Sequence, residues 1–317
     1  MWSPLHGITL MKTKATPVGL AFLLAVTSGC CRLQASQITW ASNAFAVNLQ
    51  SDGLPFTDEF LFFLGTFATG FTPTAANTSE WSSKWSTLEI SAYNTTSARF
   101  AASTDYITNV APFFAGVRGY IWGCNGKCGA GEWILLGNNT WRFPVGASGP
   151  AAPTVTWSAS QADQVITGSV GVGGAHLRTA AVGAVTPPVL TPLLWRALWF
   201  SSAELLDPII SGWDADPEKD RVLNLAEYAI GTSPKSYSVR ALTETSLAAG
   251  GSRLDFSLAR DCRSPALWSP QESTHLENWI PTGSDIVKEP MTTSGYRLGL
   301  PLTSGQRRFV RFNFMLP

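Results

Sequence analysis

The run EFLFFLGTF (59–67) is short, apolar and aromatic, and a glycine follows it at Gly70. YIWG (120–123), EWILLG (132–137) and WRFPV (141–145) repeat that texture with turn residues between them, and VTWSAS (155–160) and QVITGSVGV (164–172) continue it. Runs this short, bounded by Gly, Pro and Asn, fit strands rather than helices. Strands at this spacing point to antiparallel sandwiches. The composition agrees: the 317 residues include 28 Gly, 20 Pro and 13 Trp, and only 14% are charged, a balance suited to a β-rich exported protein. The fold expected is mainly β: two antiparallel β-sandwich-like domains joined by a short helix–loop–helix segment.

The first β domain is placed at 37–185 and a Pro-rich linker, beginning TPPVLTP, at 186–199. Residues 200–236 read as helical. Ser201 at an N-cap with Glu204 three residues on forms a capping box, and Phe200 with Leu205 a hydrophobic staple, so a helix is expected to start there. Pro208 should cut or kink it. NLAEYAIGTSP reads as a second short helix, with Gly231 placed to end it and Pro234 to prevent its resumption. From 237 to 317 the chain returns to β. LDFSLAR (254–260) alternates, and RFVRFNFML puts Val310, Phe312, Phe314 and Leu316 on one face.

Residues 1–35 have the order of a secretory signal: a basic MKTK, the apolar PVGLAFLLAVTSG, then CCRLQAS. Met11 is an alternative start to Met1. Cleavage is expected near Ala35, with acylation of Cys30 in TSGC as the other reading. The apolar run is too short to span a bilayer, so the mature protein is expected to be extracellular, periplasmic or at the cell surface, without a transmembrane segment. Twenty-two basic and 22 acidic residues leave no net charge, which argues against nucleic acid as a partner. In an oxidising compartment Cys124 and Cys128, flanking NGK, are the candidate disulfide, and Cys262 is left over. No second CxxC or histidine cluster supports zinc.

The stretch with metal-ligating character is DADPEKDRVLNLAEY (214–228). Calcium takes oxygen ligands, and a twelve-residue loop supplies them from positions 1, 3, 5, 7, 9 and 12. A start at Asp214 puts Val222 at position 9 and Leu225 at position 12, and fails. A start at Asp216 gives Asp216, Glu218, Asp220, the Val222 carbonyl, Asn224 and Glu227. Arg221 then occupies position 6, where glycine normally supplies a positive φ, at a cost of about 1–2 kcal/mol. The other reading is an acidic turn that favours the start of the following helix.

WDADPEKDRVLNLAEYAIGTSP resembles the DxDxDGxxNxxEYxxGTDP segments of secreted bacterial proteins, which are EF-hand-like or dockerin-like calcium loops between β modules. Asp216, Asp220, Asn224 and Glu227 match, while Arg221 stands where that pattern has its glycine and Lys219 adds a second cation. FFLGTFATGFTPTAANTSEWSSKW, GEWILLGNNTWRFP and the terminal HLENWIP and QRRFVRFNF are similar to flanking modules of exported β-rich proteins from environmental Gram-negative bacteria. The resemblance implies a structural calcium site and no assigned reaction.

The function expected is therefore that of an exported, non-catalytic surface, structural or adhesion protein with calcium as its cofactor. A carbohydrate-binding accessory protein is the alternative. Trp81 and Trp85, four apart in the polar EWSSKW, are its candidate sugar-stacking residues and a surface polysaccharide its candidate partner, with Tyr93, Trp122, Trp133 and Trp141 able to contribute; sandwich-core positions are the competing reading for all of them. A secreted glycoside hydrolase or other hydrolase is the third reading, drawing on Asp58, Glu59, Glu80, Glu89, Asp105 and Glu132. Nucleophilic catalysis has little to draw on: beyond the signal only His176 and His275 remain, and GASGP breaks the GxSxG spacing.

Overall fold

The strand Leu61–Phe67 is buried along its whole length, because both faces of the sheet it belongs to are covered. The computed structural model describes residues 36–106, 110–145, 154–237, 243–248, 251–283, 287–289, 295–302 and 307–317. The signal peptide and Cys30 expected within 1–35 lie outside the described residues. In the largest sheet Leu61–Phe67 sits between Trp85–Ala92 and Arg118–Cys124; Gly131–Arg142 and then Ala180–Gly183 follow, and Gln164–Thr167 also pairs with Gly131–Arg142, every pairing antiparallel.

Side chains alternate across a strand, so one sequence serves two cores. Phe62, Leu64, Ile121, Ile134 and Leu136 point one way and pack on Ile38, Trp40 and Trp157. Those three belong to a second sheet, ordered Ala101–Tyr106, Ser36–Ala41, Thr154–Ser158, the last two strands parallel. This is the sandwich. Leu61, Phe63, Trp122 and Leu135 point the other way, against a cluster that includes Trp195, Tyr228, Leu258, Ala266 and Tyr296. The second face of the sheet is thus covered by helices and by the C-terminal strands.

The C-terminal part holds a four-stranded sheet, ordered Thr243–Leu247, Arg253–Ala259, Gly295–Pro301, Val287–Glu289, and a three-stranded one, ordered Ile280–Pro281, Leu267–Ser273, Phe309–Met315. Phe312 and Phe314 turn inward to the shared cluster, as their alternation requires. The mainly β, sandwich-like architecture matches the expectation. The two β parts share a core, however, and residues Gln34–Pro317 form one compact unit.

Four short helices are present among the described residues: α1 (Thr78–Lys84), α2 (Pro192–Trp199), α3 (Pro208–Ser211) and α4 (Asn224–Ile230). Helix α2 occupies the second half of the expected linker. Its start is well marked, since the Thr191 hydroxyl accepts the Leu194 N–H and Pro192 opens the first turn. The capping box at Ser201 and Glu204 forms both reciprocal bonds, yet it heads only a 3-10 turn, Glu204–Leu206. Pro208 opens α3 instead of kinking an earlier helix, with the Asp207 carboxylate accepting the Ile209 N–H. Helix α4 ends as read: Gly231 is left-handed at φ +83°, and its N–H reaches the Glu227 carbonyl. No helix among the described residues is long and apolar enough to cross a membrane.

Two side-chain expectations are corrected. The disulfide joins Cys128 to Cys262, with Cα atoms 5.3 Å apart, and Cys124 is the free, buried cysteine. Cys124 ends a strand on the same face as Trp122, which aims its thiol into the shared core, whereas Cys128 lies past the turn. Burial pushes that thiol up to about 12, which keeps it protonated and unreactive. Trp81 and Trp85 do not form an exposed pair. Trp81 is fully buried, its ring 5.3 Å from that of Trp122 and 5.7 Å from that of Trp133. Trp85 follows α1 as the first residue of a strand and packs edge-on to Phe67. Tyr93, Trp122, Trp133 and Trp141 are buried as well.

Candidate metal centre

The loop between α3 and α4 is closed by its own side chains. Asp216 accepts the Asp220 N–H at 3.1 Å with one carboxylate oxygen and the Arg221 N–H at 2.9 Å with the other. Asp220 accepts the Val222 N–H at 2.8 Å. The two ends of the loop are joined by Asn224 N–H to the Ala215 carbonyl and Leu225 N–H to the Trp213 carbonyl. The Asn224 amide then donates both its protons backwards, to the carbonyls of Ile210 at 3.0 Å and Gly212 at 2.7 Å. One side chain thereby ties the start of α4 to the end of α3.

Asp216, Glu218 and Asp220 can each present an oxygen within 4.8 Å of the other two. Calcium–oxygen distances are about 2.3–2.6 Å, so oxygens on opposite sides of one ion stand about 4.6–5.2 Å apart, and the group fits a single cation. Glu227 is not part of that trio, but its carboxyl lies beside that of Glu218. It is fully buried and held in α4 with one oxygen accepting the Thr232 hydroxyl at 3.2 Å. Burial, reinforced by the Glu218 charge, pushes Glu227 up to about 9; burial and the charges of Asp220 and Asp216 also raise Glu218.

The carbonyl oxygen of Asn224 has no hydrogen-bond partner among the described residues, and both oxygens of Glu218 and the second of Glu227 meet no donor there other than each other's carboxyl. A buried polar atom without a partner costs about 1–3 kcal/mol, so their gathering around one loop needs an explanation that hydrogen bonding does not supply. The donor set is oxygen throughout, with no imidazole or thiolate, which suits calcium, magnesium or manganese and not zinc or copper. Val222, the expected carbonyl ligand, has a buried side chain and donates its N–H to Asp220.

The backbone carries the mark of the replaced glycine and of a second strained position. Lys219 has φ +61° and Arg221 φ +73°, both left-handed. A side chain is disfavoured there by about 1–2 kcal/mol. Arg221→Gly should therefore raise stability by about 1 kcal/mol and the melting temperature by about 2–4 °C, read by calorimetry in chelator; an unchanged or lower transition would show that the position is not strained. The calcium reading made position 6 left-handed from spacing alone. The added left-handed turn at Lys219 has no counterpart in that spacing.

His176 accepts a hydrogen bond from the Asn43 N–H at 3.4 Å, and His275 is exposed just beyond the strand Leu267–Ser273. No protein-family model matches the chain, and no curated protein or solved structure matches it either.

Proposed function

We propose that this is an exported, non-catalytic structural or adhesion protein in which residues 216–227 bind calcium as a clasp. The observation that supports the reading is the set of oxygens on Glu218, Asn224 and Glu227 that meet no donor outside the cluster, beside the Asp216–Glu218–Asp220 trio. A cation there would neutralise the repulsion between these carboxylates and give the orphaned oxygens a partner. It would hold the loop to the start of α4, whose other end packs in the core shared by the two β parts. Dockerin-like loops between β modules offer the same role, and a cell-surface setting offers millimolar calcium. Trp81 and Trp85, which suggested sugar binding in the sequence, lend it no support from the core.

The test is thermal melting in calcium and in chelator. Extracellular sites bind at about 10⁻⁴–10⁻³ M, so 10 mM calcium should add about 1.4–2.7 kcal/mol through mass action. Glu227→Gln should abolish that increment. It should also raise the melting temperature in chelator, because a neutral amide replaces a buried acid beside Glu218 and can donate to it. Coincident melts of the parent protein in calcium and chelator would sink the proposal. Magnesium at the same concentration separates a calcium site from a general acidic one.

A further inference from the structure

A cleft of about 790 Å³ has none of the acidic loop residues in its lining, which includes Asp58, Glu89, Ser97, Arg99, Trp199 and Ser236. Its volume is within the range of small-molecule sites, about 300–1,000 Å³. Two strands border it, Trp85–Ala92 and Ala101–Tyr106, and each is the last strand of its sheet. Ser91 stitches the two edges together, its hydroxyl donating to the Ala101 carbonyl and accepting the Ala101 N–H. The end of α2 supplies Trp199.

The chemistry of this lining is specific. Trp195, one turn earlier, is buried and stacked on Trp213 at 5.5 Å, while Trp199 is only partly buried and makes no ring contact with another aromatic among the described residues. It packs against the core cluster and lines the cleft. Arg99 is exposed, and among the described residues its guanidinium has no hydrogen-bond or ion-pair partner; its backbone is fixed by paired bonds to Asn94. Asp58 spends one oxygen on the Thr95 N–H and Glu89 one on the Ile90 N–H, which leaves each an oxygen to accept with. Free acceptors, a free fork of donors, several hydroxyls and one open indole surface match a ligand that offers hydroxyls around its rim and C–H groups on its face. Two carboxylates against one guanidinium disfavour an anion. We propose that this cleft binds a neutral oligosaccharide, with Trp199 as the stacking surface and Arg99, Asp58 and Glu89 bonding the hydroxyls. The site is separate from Trp81 and Trp85 and from the calcium loop.

The experiment is an array of neutral, acidic and amino-sugar oligosaccharides probed with the protein in calcium, followed by calorimetry on the best neutral binder. At least one neutral oligosaccharide should bind, and Trp199→Ala should weaken it tenfold or more. Since Trp199 also touches the core, Arg99→Ala is the independent variant: its side chain holds nothing else, so the melt should be unchanged while affinity falls at least threefold. Binding confined to acidic glycans, absence of any neutral binder, or equal affinity in the parent and the Arg99→Ala variant would each overturn the assignment.

Discussion

Replacing Arg263 by alanine should cost about 3–5 kcal/mol of folding free energy, the loss expected when one partner of a buried ion pair is removed. Arg263 and Asp261 have side chains only 4% and 2% exposed. The guanidinium bonds the Asp261 carboxylate through Nη2 at 2.8 Å and Nε at 2.9 Å, and its Nη1 reaches the carbonyls of Glu59 at 2.8 Å and Cys124 at 3.3 Å. The same short segment is held by the Asp261 N–H to the Ala229 carbonyl and by the Leu190 N–H to the Arg263 carbonyl. The buried pair and its backbone thus join the first sheet, the end of α4 and the turn between the strands Arg253–Ala259 and Leu267–Ser273. Alanine would leave the Asp261 charge buried with two carbonyls unmet. The double variant Asp261→Asn/Arg263→Met removes both charges and keeps the volume, so it should be less destabilised than Arg263→Ala alone. Urea unfolding of the two variants decides: an Arg263→Ala variant within about 0.5 kcal/mol of the parent would mean that water reaches the pair.

Much of the β architecture was legible because strand evidence is local. The apolar run EFLFFLGTF forms a strand, the alternation in RFVRFNFML turns Phe312 and Phe314 inward, and the stop at Gly231 needs only a left-handed residue after α4. The Asp216–Glu218–Asp220 trio was legible for the same reason, since its three residues come from one short stretch. What could not be read was direction. EWSSKW looks like an exposed pair of tryptophans on a polar helix, but α1 stops at Lys84, and Trp85 starts a strand with a different period. The polar neighbours of Trp81 cover the outer side of the helix while its indole fills the core and donates to Asn77 at 2.8 Å. Trp199 gave no signal either, because its distinction from Trp195 lies in what packs beside it. The buried Arg263 looked like one more charge near a turn.

Removing the disulfide should have the other large effect. Cys128 and Cys262 are 134 residues apart in sequence. In the chain-entropy account a loop of that length restricts the unfolded state by about 5 kcal/mol at 25 °C, and measured losses for native disulfides run at about 2–5 kcal/mol. Cys262→Ser should fall in that range, and reducing agent should bring the parent protein to the same stability. The strap and the ion pair hold the same place: the Cys262 N–H donates to the Gly126 carbonyl, two residues before Cys128, so the segment carrying Asp261 and Arg263 is fixed from both sides. The two losses should therefore be less than additive when combined, because either one frees the segment that the other restrains. Cys124 provides the control that separates this pairing from the one spacing suggests. Cys124→Ser breaks a Cys124–Cys128 bridge and leaves a Cys128–Cys262 bridge intact. A non-reduced digest of Cys124→Ser should still contain the peptide linking Cys128 to Cys262, and in the parent protein Cys124 should be alkylated only after unfolding. Loss of that linked peptide in the Cys124→Ser variant would return the disulfide to the short turn and leave the C-terminal strands held by packing and Arg263 alone.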